Sequence, residues 1–81
     1  KDSFAQMHAE LIDGWVARIR GLLEDACAEG EIRGDVDIEF ESMALWAYSA
    51  GIGQQGLLHP AMFPLATQQK LISSYLDKLR V

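Results

Sequence analysis

From Ser42 to Gln69 the chain carries no Asp, Glu, Lys or Arg. No other feature limits the fold as much, because a solvated surface helix or a linker does not stay uncharged over such a length. Within the run, Met43, Ala44, Leu45, Trp46, Ala47 and Tyr48, then Ile52, Leu57 and Leu58, occupy every azimuth of a helix. A helix apolar all round is enclosed by protein or by lipid. Lipid fails as the solvent: Gln54-Gln55 interrupts the run, His59-Pro60 closes it, and no stretch of about 20 apolar residues exists. The pattern therefore predicts a helix from Ile38 to about Leu58, halted by Pro60 and buried in protein.

The flanking segments read as ordinary amphipathic helices. Ser3 and Gln6 stand in a capping-box arrangement. After them Phe4, Met7, Leu11, Ile12, Trp15, Ile19, Leu22, Leu23 and Ala26, with His8 among them, share one arc of roughly 160°. Gly30 is a natural stop after Glu29, so the first helix is predicted over 3–28. Asp37 is placed as the next N-cap, with Glu39 and Glu41 in the first turn where the helix dipole favours them. The third helix is predicted from Pro64 towards Arg80. Leu65, Leu71, Ile72, Tyr75, Leu76 and Leu79 lie on its inner arc, and its last turn is basic.

Three such helices cannot enclose the middle one. The first and third each have one apolar face to cover, and the side of the middle helix turned from both would form a patch larger than monomers tolerate. At 81 residues the chain buries only about 60–65% of its unfolded surface. The single Cys27 allows no internal disulfide and, without neighbouring ligands, no structural zinc. The economical solution is all-α: three antiparallel helices that dimerise through a four-helix bundle built from the second and third helices of each chain. Ala44, Ala47, Ala50, Gly51, Gly53 and Gly56 let another backbone approach closely. Candidate interface residues are Leu45, Trp46, Tyr48, Ile52, Gln55, Leu71, Ile72, Tyr75 and Leu79. Trp46 and Tyr48 sit on different azimuths, and each fits intrachain packing as well as a partner contact. Gln54 and Gln55 fit a hydrogen bond across the dimer or to a carbonyl, or a solvated edge.

Charge and motifs exclude several functions. Seven basic residues are spread among twelve acidic ones, for a net charge of −5, so this segment lacks the clustered cations that hold phosphate backbones or anionic membranes. Gly51-Ile52-Gly53-Gln54-Gln55-Gly56 formally fits GxGxxG but sits inside a helix with no strand before it. The acids of 35–41 do not make a calcium loop, because Phe40 stands where such a loop needs glycine. Ser42, Ser49, Ser73 and Ser74 have no catalytic partner spacing, and His8 and His59 belong to different segments. Cys27 has no adjacent cation to activate it. The reading is a non-enzyme without cofactor or metal. The opening Lys1-Asp2-Ser3 lacks an initiator Met and a secretory leader, which suggests that sequence continues upstream.

The ordered combination of pieces resembles the C-terminal domain of TetR-family transcriptional regulators. Leu22-Leu23-Glu24-Asp25-Ala26-Cys27-Ala28-Glu29-Gly30-Glu31-Ile32-Arg33 with Asp35-Val36-Asp37, then Met43 to Tyr48 with Gly51-Ile52 and Gln55, and the closing Tyr75-Leu76-Asp77-Lys78-Leu79 carry it. Ala50 stands where the family often has Asp, and Gly34 where Pro is common. The resemblance implies the last three helices of an effector-binding and dimerisation domain. It also implies a homodimer in the cytoplasm, and DNA contact only through an N-terminal helix-turn-helix domain outside these residues. A small-molecule effector would shift the population between two spacings of the DNA-reading heads. The first helix would line the effector pocket, making Met7, His8, Leu11 and Trp15 candidate contacts. Ordinary core packing is the alternative for each. A stand-alone helical homodimeric scaffold without effector is the second reading of the whole.

Overall fold

The computed structural model describes residues 3–81; Lys1, Asp2 and the side chain of Phe4, placed above on the apolar arc, lie outside the described residues. The described residues form three helices: α1 (Ser3–Ala28), α2 (Ile38–Leu58) and α3 (Leu65–Asp77). Among the described residues no helix is long and apolar enough to cross a membrane.

Local chemistry sets most of the boundaries. Gly30 ends α1 in the left-handed region at φ 80°, which a side chain would oppose. There Gly30 N–H donates to Cys27 O and Glu31 N–H to Ala26 O, the paired bonds of a Schellman turn. Asp37 caps α2 by accepting from Phe40 N–H at 3.1 Å, with Glu39 and Glu41 in the first turn. At the start of α1, Ser3 is already helical, and the Gln6 amide donates to Glu10 at 3.5 Å, a turn onward rather than back to a cap.

The third helix departs from its prediction at both ends. Pro64 is the extended cap residue rather than the first helical one. The helix stops at Asp77, so Lys78 and Arg80 lie beyond it and the last turn holds no basic residue. A contact distant in sequence explains the early stop. Leu79 O accepts from Arg33 N–H and Glu31 O from Val81 N–H, pairing Ile32 with Arg80 as an isolated antiparallel bridge.

Falling residue numbers on α1 meet rising ones on α2, as in Arg20–Glu39 and Trp15–Trp46, so the two run antiparallel. The pairs Glu41–Tyr75 and Gly56–Gln68 show the same for α2 and α3. α1 and α3 both lie against α2 and not against each other. The result is a slab of 41 × 38 × 14 Å, one helix deep. Its radius of gyration is 14.6 Å, against about 12 Å for a compact chain of this length. Its accessible surface is 5993 Å², roughly 1,100 Å² more than a compact monomer of this mass exposes.

The core is accordingly thin. Leu23, Ile32 and Leu79 form a buried cluster where the end of α1, the connection and the segment after α3 converge. Leu45 and Ile52 are buried along α2. Ser42, fully enclosed, satisfies its hydroxyl on Ile38 O at 2.7 Å.

Candidate functional site

The apolar arc of α1 divides lengthwise. Ile12, Val16, Ile19, Leu23 and Ala26 turn toward the rest of the chain, whereas Met7, Leu11, Trp15 and Leu22 form a second stripe open to solvent. His8 is exposed as well. The four candidate effector contacts, Met7, His8, Leu11 and Trp15, thus follow one another along an uncovered wall. Only Trp15 is shown tied to another helix, its ring stacked on Trp46 with centroids 6.3 Å apart and planes 8° from parallel. The Arg18 guanidinium lies 5.3 Å from the Trp15 ring centroid, so a cation already rests on this aromatic surface. Below the stack a groove of about 390 Å³ runs between α1 and α2, lined by Ile12, Val16, Met43 and Trp46 and rimmed by Asp13, Arg20 and Glu39.

α2 keeps an apolar face open to solvent, with Phe40, Ala47, Ala50, Leu57 and Leu58 exposed along it and Met43 at its border with the groove. Between α2 and α3 lies an open hollow of about 660 Å³, lined by Ser49, Ile52, Gly53, Leu65, Gln68 and Ile72 among others. On its α2 side Ser49 and Gly53 are small and flank Ile52, and a Cβ built on Gly53 meets nothing within 4 Å. Gly56 differs: a Cβ there would collide with the Gln68 side chain, whose amide is held by donating to Phe63 O at 2.8 Å. The absent side chain at 56 lets the turn and the start of α3 fold back on α2.

A polar lock fixes α3 on α2. Tyr75 donates its hydroxyl to Glu41 at 2.5 Å, Tyr48 donates to Leu71 O at 3.5 Å, and the two rings lie 5.1 Å apart. Partial burial, then the hydrogen bond to Glu41 and its negative charge, push the Tyr75 phenol up to about 12.

The interface candidates occupy three settings. Leu45, Ile52 and Leu79 are buried within the chain. Trp46, Tyr48 and Tyr75 are engaged by aromatic partners of the same chain. Gln55, Leu71 and Ile72 are half-buried, and Ile72 lines the hollow. Sequence reasoning missed Arg18, Glu41 and Met43 as contributors. The i, i+3 spacing of Trp15 and Arg18 would have found the first. Nothing local signals the Glu41–Tyr75 pair, 34 residues apart.

A family model described as the C-terminal domain of BetI-type transcriptional repressors, within the TetR class, matches residues 1–81. No curated protein and no solved structure matches the chain.

Proposed function

Because the chain belongs to the BetI-type transcriptional repressor C-terminal family of TetR-class regulators, we propose that it is the dimerising and effector-sensing segment of a cytoplasmic repressor. Two copies join through α2 and α3 as a four-helix bundle, and a helix-turn-helix domain elsewhere in the full protein contacts DNA. The observation that carries this reading is the surplus surface. Covering roughly 1,100 Å² on each of two copies gives an interface in the obligate size class, and the hollow between α2 and α3 offers small residues for close approach. Tyr48 and Tyr75 act from within, holding α2 and α3 at the angle the bundle needs, while Trp46 holds α1 on α2. Ile52 and Ile72 reach the partner across the hollow. A scaffold without effector is not favoured, since the family is one of transcriptional regulators.

Met7, His8, Leu11 and Trp15 form one wall of the effector pocket, completed by helices outside these residues. Ligand pockets combine apolar walls with a few placed polar groups, and His8 supplies such a group on an otherwise apolar stripe.

Gly53→Arg tests the interface. A Cβ at this exposed position meets nothing within 4 Å in the monomer, and arginine is a better helix former than glycine, so folding should be spared. Sedimentation velocity of the full-length protein should show the dimer dissociation constant rising at least about 100-fold, the loss of roughly 2.7 kcal/mol, with helical content retained. An unchanged dimer removes the hollow from the interface. For the pocket, Leu11→Ala and Trp15→Ala should abolish effector release from DNA while leaving dimerisation intact.

A further inference from the structure

α1 and α3 do not pack on one another, yet on one side of the molecule their ends are tied. Arg33 N–H donates to Leu79 O at 3.0 Å and Val81 N–H to Glu31 O at 3.2 Å. Glu31 in turn hangs on α1 through its own N–H to Ala26 O at 2.9 Å. Under this bridge Leu23 of α1, Ile32 of the connection and Leu79 after α3 form one buried cluster, edged by Ala26 and Cys27 of α1, Val36, Ile38 at the first turn of α2, and Tyr75 of α3. Beside it a cleft of about 260 Å³ opens between the helices, with Ile19 and Leu22 on the α1 side, Leu76 on the α3 side and Leu45 on its floor. Side chains facing a void lack packing partners there, so the cleft offers little resistance to the two helices shifting against each other. The tie is where such a shift is resisted.

We propose that the pairing of Glu31–Arg33 with Leu79–Val81 is a conformational joint that carries a displacement of α1 to α3 across the bridge, touching only the first turn of α2 and not running along its length. Its regulatory meaning rests on the reading of α1 as the effector wall and α3 as a dimerisation helix; the mechanical coupling rests on the contacts above. Coupling between sites requires an element with two discrete arrangements that both sites bias, and a bridge that is made or parted is such an element. Linkage is reciprocal, so loosening either side must be felt at the other.

The test is amide hydrogen exchange on the full-length regulator, comparing wild type, Asp25→Gly, Val81→Pro and the double variant. Asp25 is exposed near the end of α1, and glycine there loosens the helix without touching the buried cluster. Val81 is exposed, and proline removes its N–H and nothing buried. Asp25→Gly should speed exchange at Leu79 and Val81, and Val81→Pro at Gly30, Glu31 and Arg33, each by at least about threefold. Amides from Leu45 to Ile52 should stay unchanged. In the double variant, Asp25→Gly should add nothing further at Leu79. An increase confined to the mutated side, in either single variant, overturns the joint; if one variant loosens the whole chain, the other decides. A monomeric wild type in sedimentation would refute the dimer reading instead, and the exchange comparison would still decide the joint.

Discussion

The two ends of the slab both carry large apolar side chains and pack them differently. At one end the tail of α1, the connection, the start of α2 and the segment after α3 converge, and Leu23, Ile32 and Leu79 are buried there. At the other, the head of α1, the end of α2 and the turn into α3 leave Met7, Leu11, Leu57, Leu58, Met62 and Leu65 exposed. Composition alone would have reversed the order, since the charge-free run 42–69 reaches the open end while Glu29, Glu31, Arg33, Asp35 and Asp37 flank the closed one. The closed end brings four chain segments together, and the open end lacks the neighbours that would cover it. The contrast places intrachain packing at the first end and uncovered apolar surface at the second.

The largest effect that tests this contrast is Leu79→Ala set against Leu57→Ala. Leu79 is 5% exposed and Leu57 86%. Denaturant unfolding should show a loss of about 3 kcal/mol for the first, the usual cost of truncating a buried leucine, and less than about 0.5 kcal/mol for the second. Equal losses would erase the distinction between the ends. Tyr75→Phe comes next, since it leaves the Glu41 carboxylate without its hydroxyl donor near the closed end; the same measurement should register a loss of about 1–2 kcal/mol.

The same substitution sharpens a pH signature. The Tyr75 phenol lies at about 12 in the folded chain, against 10.0 ordinarily. Between those values the unfolded chain loses the proton and the folded chain keeps it. The Tyr75 contribution is therefore complete below about pH 10 and is lost as pH climbs toward 12. Stability profiles over that window should fall for the wild type and flatten for Tyr75→Phe. Midway between the ends, Trp15→Ala removes the stack on Trp46, for which thermal unfolding should report about 0.5–1.5 kcal/mol beyond the lost burial. Gly56→Ala should be smallest, within about 0.5 kcal/mol of neutral. Its helix-propensity gain of about 1 kcal/mol opposes the loss of the Gln68–Phe63 hydrogen bond, worth about the same.

Much of the fold was legible because its punctuation is local. Gly30 and Asp37 act within a few residues, so α1 and α2 begin and end where the pattern placed them. The end of α3 was not legible, because Leu79 and Val81 leave the helix to pair with residues nearly fifty positions earlier. Periodicity also marked the α1 arc as apolar without revealing its division, since Ile19 and Leu22 differ only in which neighbours reach them. For the candidate site, the spacing put Met7, His8, Leu11 and Trp15 on one side of α1, where they are found. It could not show that Trp46, Tyr48 and Tyr75 would be engaged by rings of their own chain, which depends on how two helices cross.

A body only one rod deep has two outsides and scarcely an inside. Nearly every oily side chain on it is a boundary residue, answerable both to its own backbone and to whatever leans on the slab. Sequence drift in this protein should therefore show up first in what the chain holds on to, and only later in whether it folds.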